Sequence, residues 1–257
     1  MQNNFITDAI NLKSYNLSES DKIIVMYSKD RGLIRGVAKG VKKPKSKLGA
    51  RMDLLVANTV MLHQGKNMAT ICQAEALNTF SKTRTDLDKI FYSMYVTEVV
   101  HNFGLEDDPG SKDVYALLYK ALESISAADN KVEIMLAVIK FQLKMMIISG
   151  FSIEFDSCLC CHKDIDDESM FFVRSMGGVV CSHCASKIFS DKKQMPYKLR
   201  DFFKQMSEND FETKGFYEQK ASDKVCEVCF NVLKEYIETK SPKHFKSTNI
   251  IDEKLCL

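Results

Sequence analysis

The sequence predicts an α+β protein: a small N-terminal β-barrel followed by an α-helical domain that carries an inserted zinc-ribbon-like module. Hydrophobic residues alternate with period two over about the first 80 residues, which is typical of half-buried strands. Beyond that point they recur at helical spacing, and two C-x-x-C pairs interrupt the helical pattern. The predicted domains are residues 1–80 and 81–257, with the module at about 156–186 inside the second.

The composition fits a folded chain with long helices. Hydrophobic residues make up 45% of the 257 residues, which supplies a sizeable core and excludes wholesale disorder. Only 4 Pro and 11 Gly are present, too few to favour an all-β chain full of tight turns. The N-terminus lacks the basic start and apolar core of a signal peptide, and lysines interrupt the longest apolar stretch. We expect a soluble, cytoplasmic protein with no membrane span.

Five strands are expected in the first domain. They share period-two alternation and lie at about 5–17, 23–27, 33–39, 54–62 and 69–76. A turn at Lys29–Gly32 joins the second strand to the third as a hairpin, and a turn at 64–67 joins the last two. A closed or partly closed barrel buries such short strands.

Helices are expected in the second domain wherever apolar residues keep helical spacing. They lie at about 87–99, 114–125 and 132–148, with two more starting near 196 and 222, the last running to about 239. Thr85-Asp86 is an N-cap signal for the first of them, and Gly150 should end the third.

Positive charge is concentrated in one part of the predicted barrel. The whole chain has 36 Lys and Arg against 34 Asp and Glu, a net charge of only +2. Residues 22–51 hold ten Lys and Arg and a single acid, Asp30, so this part carries +9 and the remainder −7. The loop at 40–49 has four lysines and no acid. This pattern favours a loop that binds nucleic-acid backbone phosphates over one that is only solvated. The expected nucleic-acid contacts are Arg31, Arg35, Lys39, Lys42, Lys43, Lys45, Lys47 and Arg51. Tyr15 and Tyr27 are candidates for base stacking and equally for the core.

Nine cysteines, an odd number, exclude a complete disulfide framework within the chain. Two C-x-x-C pairs are separated by 19 residues, a spacing typical of zinc ribbons. Thiolates three residues apart across a tight turn can share one Zn²⁺ at about 2.3 Å, and two such turns complete a tetrahedron. Short strands at 171–173 and 177–180 would connect them. One structural zinc ion is therefore predicted, with Cys158, Cys161, Cys181 and Cys184 as its ligands.

The remaining cysteines are interpreted differently. Cys160 adjoins Cys161 and leaves the register open, although the two-residue gap favours Cys161 paired with Cys158. His183 is expected to be a polar filler. Cys226 and Cys229 belong to an apolar stripe at helical spacing, where buried cysteine behaves as a small hydrophobe. Cys72 and Cys256 carry no motif.

No catalytic arrangement is recognisable, so the chain is not expected to be an enzyme. Four thiolates would close the zinc shell and leave no position for a catalytic water. The sequence has no phosphate-cradling glycine loop, and none of its five histidines has an identifiable partner. A thiol redox enzyme is a further hypothesis, but the thioredoxin-like βαβ context is missing.

The chain resembles the RecO recombination-mediator proteins of bacteria over nearly its whole length. The segments that carry the resemblance are Arg31–Gly40, Leu62–Phe80 with the helix start at 85–87, Phe171-Phe172 before Gly177–Cys181, and His244–Ser247. The resemblance implies an OB-fold barrel and a helical domain with a zinc module. The order of these segments along the chain is more specific for the family than any single segment.

The resemblance also implies a function in DNA repair and homologous recombination. Such proteins bind single- and double-stranded DNA, anneal strands, and load RecA with RecR. Many engage the C-terminal tail of single-stranded DNA-binding protein, so the location would be cytoplasmic and nucleoid-associated. The alternative is an RNA-binding or ribosome-associated zinc-ribbon protein, which competition between single-stranded DNA and RNA would distinguish.

Overall fold

The fold is that of a computed structural model, which describes residues 4–66, 68–165, 169–188, 191–213 and 215–248. The chain divides into two compact units. Of the described residues, the first unit contains those up to Ala127 together with 245–248, and the second contains those from Ala128 to His244. The sequence-based division at residue 80 stays a prediction.

The first unit is built around a closed five-stranded barrel, which confirms the predicted strands. These are β1 (Asn4–Asn16), β2 (Lys22–Ser28), β3 (Gly32–Ala38), β4 (Ala57–His63) and β5 (Ala69–Asn78). Their order around the barrel is β1-β2-β3-β5-β4, and β4 pairs with β1 to close it. Neighbouring strands are antiparallel except β3 and β5, which are parallel. The result is the expected OB-fold.

The barrel core contains one side of each strand and part of the loop after β3. Ile24 and Met26 of β2 are fully buried in it, as the period-two alternation requires. Val41, Leu48 and Met52 belong to the same core, although they lie in the connection between β3 and β4. This connection is therefore tied to the barrel by apolar side chains.

Two helices complete the first unit: α1 (Leu87–Phe103) and α2 (Ser111–Ala127). Asp86 caps α1, since its carboxylate accepts a hydrogen bond from the backbone N–H of Lys89 at 3.0 Å. The cap lies where the sequence predicts it.

The C-terminal segment returns to α1. The buried ring of Phe245 lies with its centroid 6.1 Å from that of Tyr95. The Glu98 carboxylate accepts hydrogen bonds from the backbone N–H groups of Lys246 and Ser247, at 3.0 and 2.8 Å. Residues far from the barrel in sequence therefore belong to its unit.

The second unit combines helices with a small three-stranded sheet. Its elements are α3 (Lys131–Ile148), β6 (Ser169–Val173), β7 (Gly178–Cys181), α4 (Ser182–Ile188), β8 (Lys192–Pro196), α5 (Tyr197–Glu208), α6 (Phe216–Gln219) and α7 (Asp223–Lys240). The sheet order is β7-β6-β8, with both pairs antiparallel. The three predicted helices and the two predicted strands are confirmed, whereas α4, β8 and α6 were not expected.

Helices α3 and α7 form the centre of this unit. Cys226 and Cys229 are fully buried in α7, which confirms that they are core residues. The Lys140 ammonium on α3 is also buried and lies 2.9 Å from the Glu218 carboxylate of α6. Among the described residues, no helix combines the length and the apolar composition needed to cross a membrane.

Candidate nucleic-acid interface and metal centre

All eight cations expected to bind nucleic acid are exposed in the first unit. Arg31 lies in the turn before β3, Arg35 within β3, and Arg51 in a short 3₁₀ helix, Gly49–Met52. The four lysines Lys42, Lys43, Lys45 and Lys47 lie in the loop between β3 and that helix, and Lys39 lies one residue beyond β3. The strand predicted at 33–39, on one face of which Arg35 and Lys39 were expected, ends one residue earlier, because β3 ends at Ala38 and Lys39 lies outside it.

The loop from Gly40 to Gly49, the basic loop, is an ordered succession of turns. The backbone N–H of Lys43 donates to the carbonyl of Gly40 at 3.1 Å, and that of Ser46 to the carbonyl of Lys43 at 2.9 Å. The Ser46 hydroxyl oxygen accepts from the N–H groups of Leu48 and Gly49. Since Val41 and Leu48 are buried at either end, the lysines between them face solvent.

Two buried asparagines fix the far end of the same connection. The side-chain amide of Asn11 donates to the carbonyls of Arg51 and Asp53, both at 2.8 Å. That of Asn58 also donates to the Arg51 carbonyl at 2.8 Å. Sequence reasoning missed this pair, because an isolated Asn inside a strand pattern does not reveal which backbone it will hold.

The start of the basic loop is held by an acid. The Asp21 carboxylate accepts the backbone N–H of Gly40 at 2.7 Å. This hydrogen bond, followed by one from the Ser20 hydroxyl, lowers the pKa of Asp21 below its usual value. The Lys42 ammonium donates to the Ser18 carbonyl at 3.1 Å, so the β1–β2 connection lies against the basic loop.

Most of these cations form no ion pair with a described residue. Arg35 lies 3.9 Å from Glu106, but both side chains are more than half exposed, so this pair is weak in water. Among the described residues, no carboxylate oxygen lies within 4.0 Å of the ammonium groups of Lys39, Lys43, Lys45 or Lys47. These charges are available to an external anion.

The two tyrosines considered for base stacking have opposite environments. Tyr27 is fully buried, and its hydroxyl donates to Asp108 at 2.7 Å. Burial first, and then Asp108, raises the pKa of Tyr27. Tyr27 is a core residue. Tyr15 is 45% exposed, and the Lys13 ammonium lies 5.5 Å from its ring centroid.

The four cysteines expected to bind zinc come together in the second unit. Their Sγ atoms all lie within 4.8 Å of one another, and those of Cys161 and Cys181 are 4.0 Å apart. A tetrahedral ion with Zn–S bonds of about 2.3 Å holds its sulfurs roughly 3.8 Å apart. The donor set and its spacing therefore fit one zinc ion. Cys160 is exposed and not a member of the group, and His183 is exposed as well.

Local backbone structure orients these thiols. Cys158 and Cys161 occupy a tight turn in which the His162 N–H donates to the Cys158 carbonyl at 2.8 Å and His162 has φ of 57°. The N–H of Cys181, the last residue of β7, donates to the Cys158 sulfur at 3.4 Å. Cys184 lies in α4 directly after that strand.

The four neighbouring thiols differ in their pKa. Burial raises the pKa of the Cys158 thiol, but N–H groups of Cys161, Cys181 and Cys160 outweigh it and bring the value to about 6. Hydrogen bonding with the Cys181 side chain raises the pKa of Cys184 to about 12. Neighbouring thiols cannot all ionise unless a positive charge lies between them. A metal ion bound between the four sulfur atoms, whose spacing fits one, would supply that charge.

Comparison with known proteins gives the same family for both parts of the chain. Residues 1–80 match the family described as recombination protein O N terminal, and residues 84–249 match recombination protein O C terminal. A DNA repair protein RecO from Desulforamulus reducens is 29% identical over 248 residues, covering 95% of this chain and 93% of that protein. One from Shouchella clausii is 31% identical over 192 residues, covering 75% and 72%. One from Acetivibrio thermocellus is 31% identical over 178 residues, covering 69% of each.

Proposed function

Because the chain belongs to the RecO family of DNA repair proteins, we propose that it binds single- and double-stranded DNA through the basic loop and the cations beside it. The observation that carries this proposal is the group of exposed lysines with no described carboxylate within 4.0 Å. Cations held on an ordered loop release the counterions of a phosphate backbone when they bind it.

Binding of this kind does not depend on sequence, because phosphates carry no base information. Arg31, Arg35 and Lys39 precede the basic loop along the chain and Arg51 follows it, and all four are exposed. By neutralising phosphates, the surface lowers the repulsion between two complementary strands, which is the physical requirement for annealing. We assign no catalytic step to the chain.

The recombination-mediator role extends this proposal to protein partners. RecR, the acidic tail of single-stranded DNA-binding protein, and RecA indirectly are the expected partners, on the strength of the family alone. Strand annealing on DNA coated with single-stranded DNA-binding protein, with and without RecR, tests this role directly.

The metal proposed for the cysteine cluster is one structural Zn²⁺ held by Cys158, Cys161, Cys181 and Cys184. Four thiolates complete a tetrahedral shell, so the ion would supply folding free energy rather than an activated water. It would join the turn at 158–161 to the end of β7 and to α4.

The DNA proposal is tested by replacing Lys43, Lys45 and Lys47 with Gln in one variant. Its matched control replaces three exposed lysines of the second unit, Lys198, Lys220 and Lys224. Fluorescence anisotropy with a single-stranded and a duplex oligonucleotide, over a series of salt concentrations, gives affinity and salt slope. Losing three phosphate contacts should flatten the slope by up to about 2.7 for duplex and about 2 for single strands.

The control variant should bind like the unmodified chain. Unchanged slopes in the loop variant would refute the assignment of phosphate contacts to the basic loop. Competition with RNA of the same sequence, in the same assay, separates a DNA-binding protein from an RNA-binding one.

A further inference from the structure

The outer face of β2 and β3 has a covered half. There the Tyr27 hydroxyl donates to Asp108, and the Leu33 N–H donates to the carbonyl of Leu105 at 2.8 Å. The backbone of Gly104 lies so close that a Cβ there would be 2.8 Å from the Tyr27 ring. The segment that follows α1 therefore seals this half of the sheet.

The other half of the same face is open. Tyr15 of β1 pairs with Ile23 of β2, which in turn pairs with Val37 of β3. Their chain neighbours Ile24 and Ala38 are fully buried inside the barrel, so alternation directs the three paired side chains outward. Tyr15 is 45% exposed, and the other two are partly exposed. Together they form a row, here called the platform, on strands about 4.8 Å apart.

Cations lie beside the platform. The Lys13 ammonium lies 5.5 Å from the Tyr15 ring centroid. The exposed cations Arg35 and Lys39 lie two residues before and after Val37 along the chain. A ligand that fits must offer flat, weakly polar faces linked by anions, which describes the bases and phosphates of a single nucleic-acid strand.

We propose that the platform stacks unpaired DNA bases and so gives the barrel a preference for single strands. This inference rests on the proposed DNA-binding function and adds a second kind of contact to it. In a duplex the base faces are stacked on one another and unavailable, whereas the phosphates stay accessible. The cations then serve both forms of DNA, and the platform serves only unpaired strands.

The test compares Tyr15→Ala with Tyr15→Phe in anisotropy titrations. Tyr15→Ala should weaken binding of an oligothymidylate about fivefold or more, leave duplex binding unchanged, and keep the salt slope, because no phosphate contact is lost. Tyr15→Phe should bind normally, since stacking needs the ring and not the hydroxyl. The control is Tyr197→Ala, which removes a 47% exposed tyrosine in the second unit whose ring also lies near a cation, Arg200.

A direct readout uses the absence of tryptophan from the chain. Tyr15→Trp introduces one emitter at the platform, and its fluorescence should be quenched by oligothymidylate but much less by duplex. Tyr197→Trp should change little with either ligand. This measurement does not depend on whether the alanine variant folds as stably as the unmodified chain.

Two results would overturn the platform. One is equal weakening of single-strand and duplex binding by Tyr15→Ala. The other is normal single-strand binding by that variant together with unquenched fluorescence in the Tyr15→Trp variant. Failure of the DNA-binding proposal has another signature, because the variant at Lys43, Lys45 and Lys47 would then leave both affinities and both salt slopes unchanged.

Discussion

The buried ion pair between α3 and α6 should be one of the most sensitive points of the second unit. The ammonium of Lys140 lies 2.9 Å from the Glu218 carboxylate, and both side chains are only 3% exposed. The same ammonium donates to the carbonyls of Asp210 and Thr213, at 2.6 and 2.8 Å. It thereby holds the connection between α5 and α6 against α3.

Replacing one partner leaves the other charge uncompensated. In Lys140→Met, the hydrogen bonds left to the Glu218 carboxylate from the described residues are those of the Asn209 side chain and the Gly215 N–H, both at 3.2 Å. Breaking a buried pair in this way costs about 3–5 kcal/mol. For a unit of this size, that corresponds to a fall of roughly 10–20 °C in melting temperature.

A second pair provides the control. Lys131 and Glu227 join α3 to α7 at 2.7 Å, but their side chains are about one-third exposed (35% and 34%). Lys131→Met should therefore cost only about 0–1 kcal/mol. The two variants remove the same residue type from the same helix and differ chiefly in burial.

The measurement is calorimetry, which separates the transitions of the two units, together with urea unfolding. The double variant Lys140→Met with Glu218→Gln should be more stable than Lys140→Met alone, because no buried charge remains without a partner. Equal losses in Lys140→Met and Lys131→Met, or a double variant less stable than the single one, would refute the reasoning.

Three further outcomes are expected. Purified protein should bind about one zinc per chain in metal analysis. The Cys181→Ser variant should lose the zinc, and its second unit should melt at a lower temperature. The Cys160→Ser variant should keep the zinc, because Cys160 lies outside the cluster. Phe245→Ala should destabilise the first unit by about 3–5 kcal/mol in urea unfolding, whereas Phe216→Ala, at a 59% exposed site of the second unit, should destabilise that unit by far less. Burial and Asp108 raise the pKa of Tyr27, so its phenol stays neutral in the folded state, while in the unfolded chain it ionises above about pH 10. The free energy of unfolding should therefore fall above that pH, and less steeply in Tyr27→Phe, as melting temperatures measured over an alkaline pH series will show.

The parts of the fold predicted from sequence are those with a strong local period. Alternation marks the five barrel strands, and helical spacing marks α1, α3 and α7. Strand β8 has no such mark, because its sequence KKQMP has one apolar side chain, Met195, between polar residues and a proline. Helix α6 has only four residues, too few to show a period.

The candidate site was predictable to the extent that its chemistry lies in one stretch of sequence. The two C-x-x-C pairs and the lysines between Val41 and Leu48 are visible as spacing and charge. The asparagines that hold Arg51 are not, because Asn11 is 40 residues away from it in sequence and the two meet only when the barrel closes.

Tyr15 and Tyr27 show where alternation stops being informative. Both point outward from the barrel, so period two alone gives them the same environment. Tyr27 is buried because the segment after α1 covers its half of the face, and this depends on contacts between residues 81 positions apart. Tyr15 on β1 stays open, and the neighbouring strands β2 and β3 belong to residues 22–51, which carry a net charge of +9. The part of this face that the segment after α1 leaves uncovered thus holds an exposed tyrosine with a cation beside its ring, and that coincidence favours a ligand that is both anionic and flat.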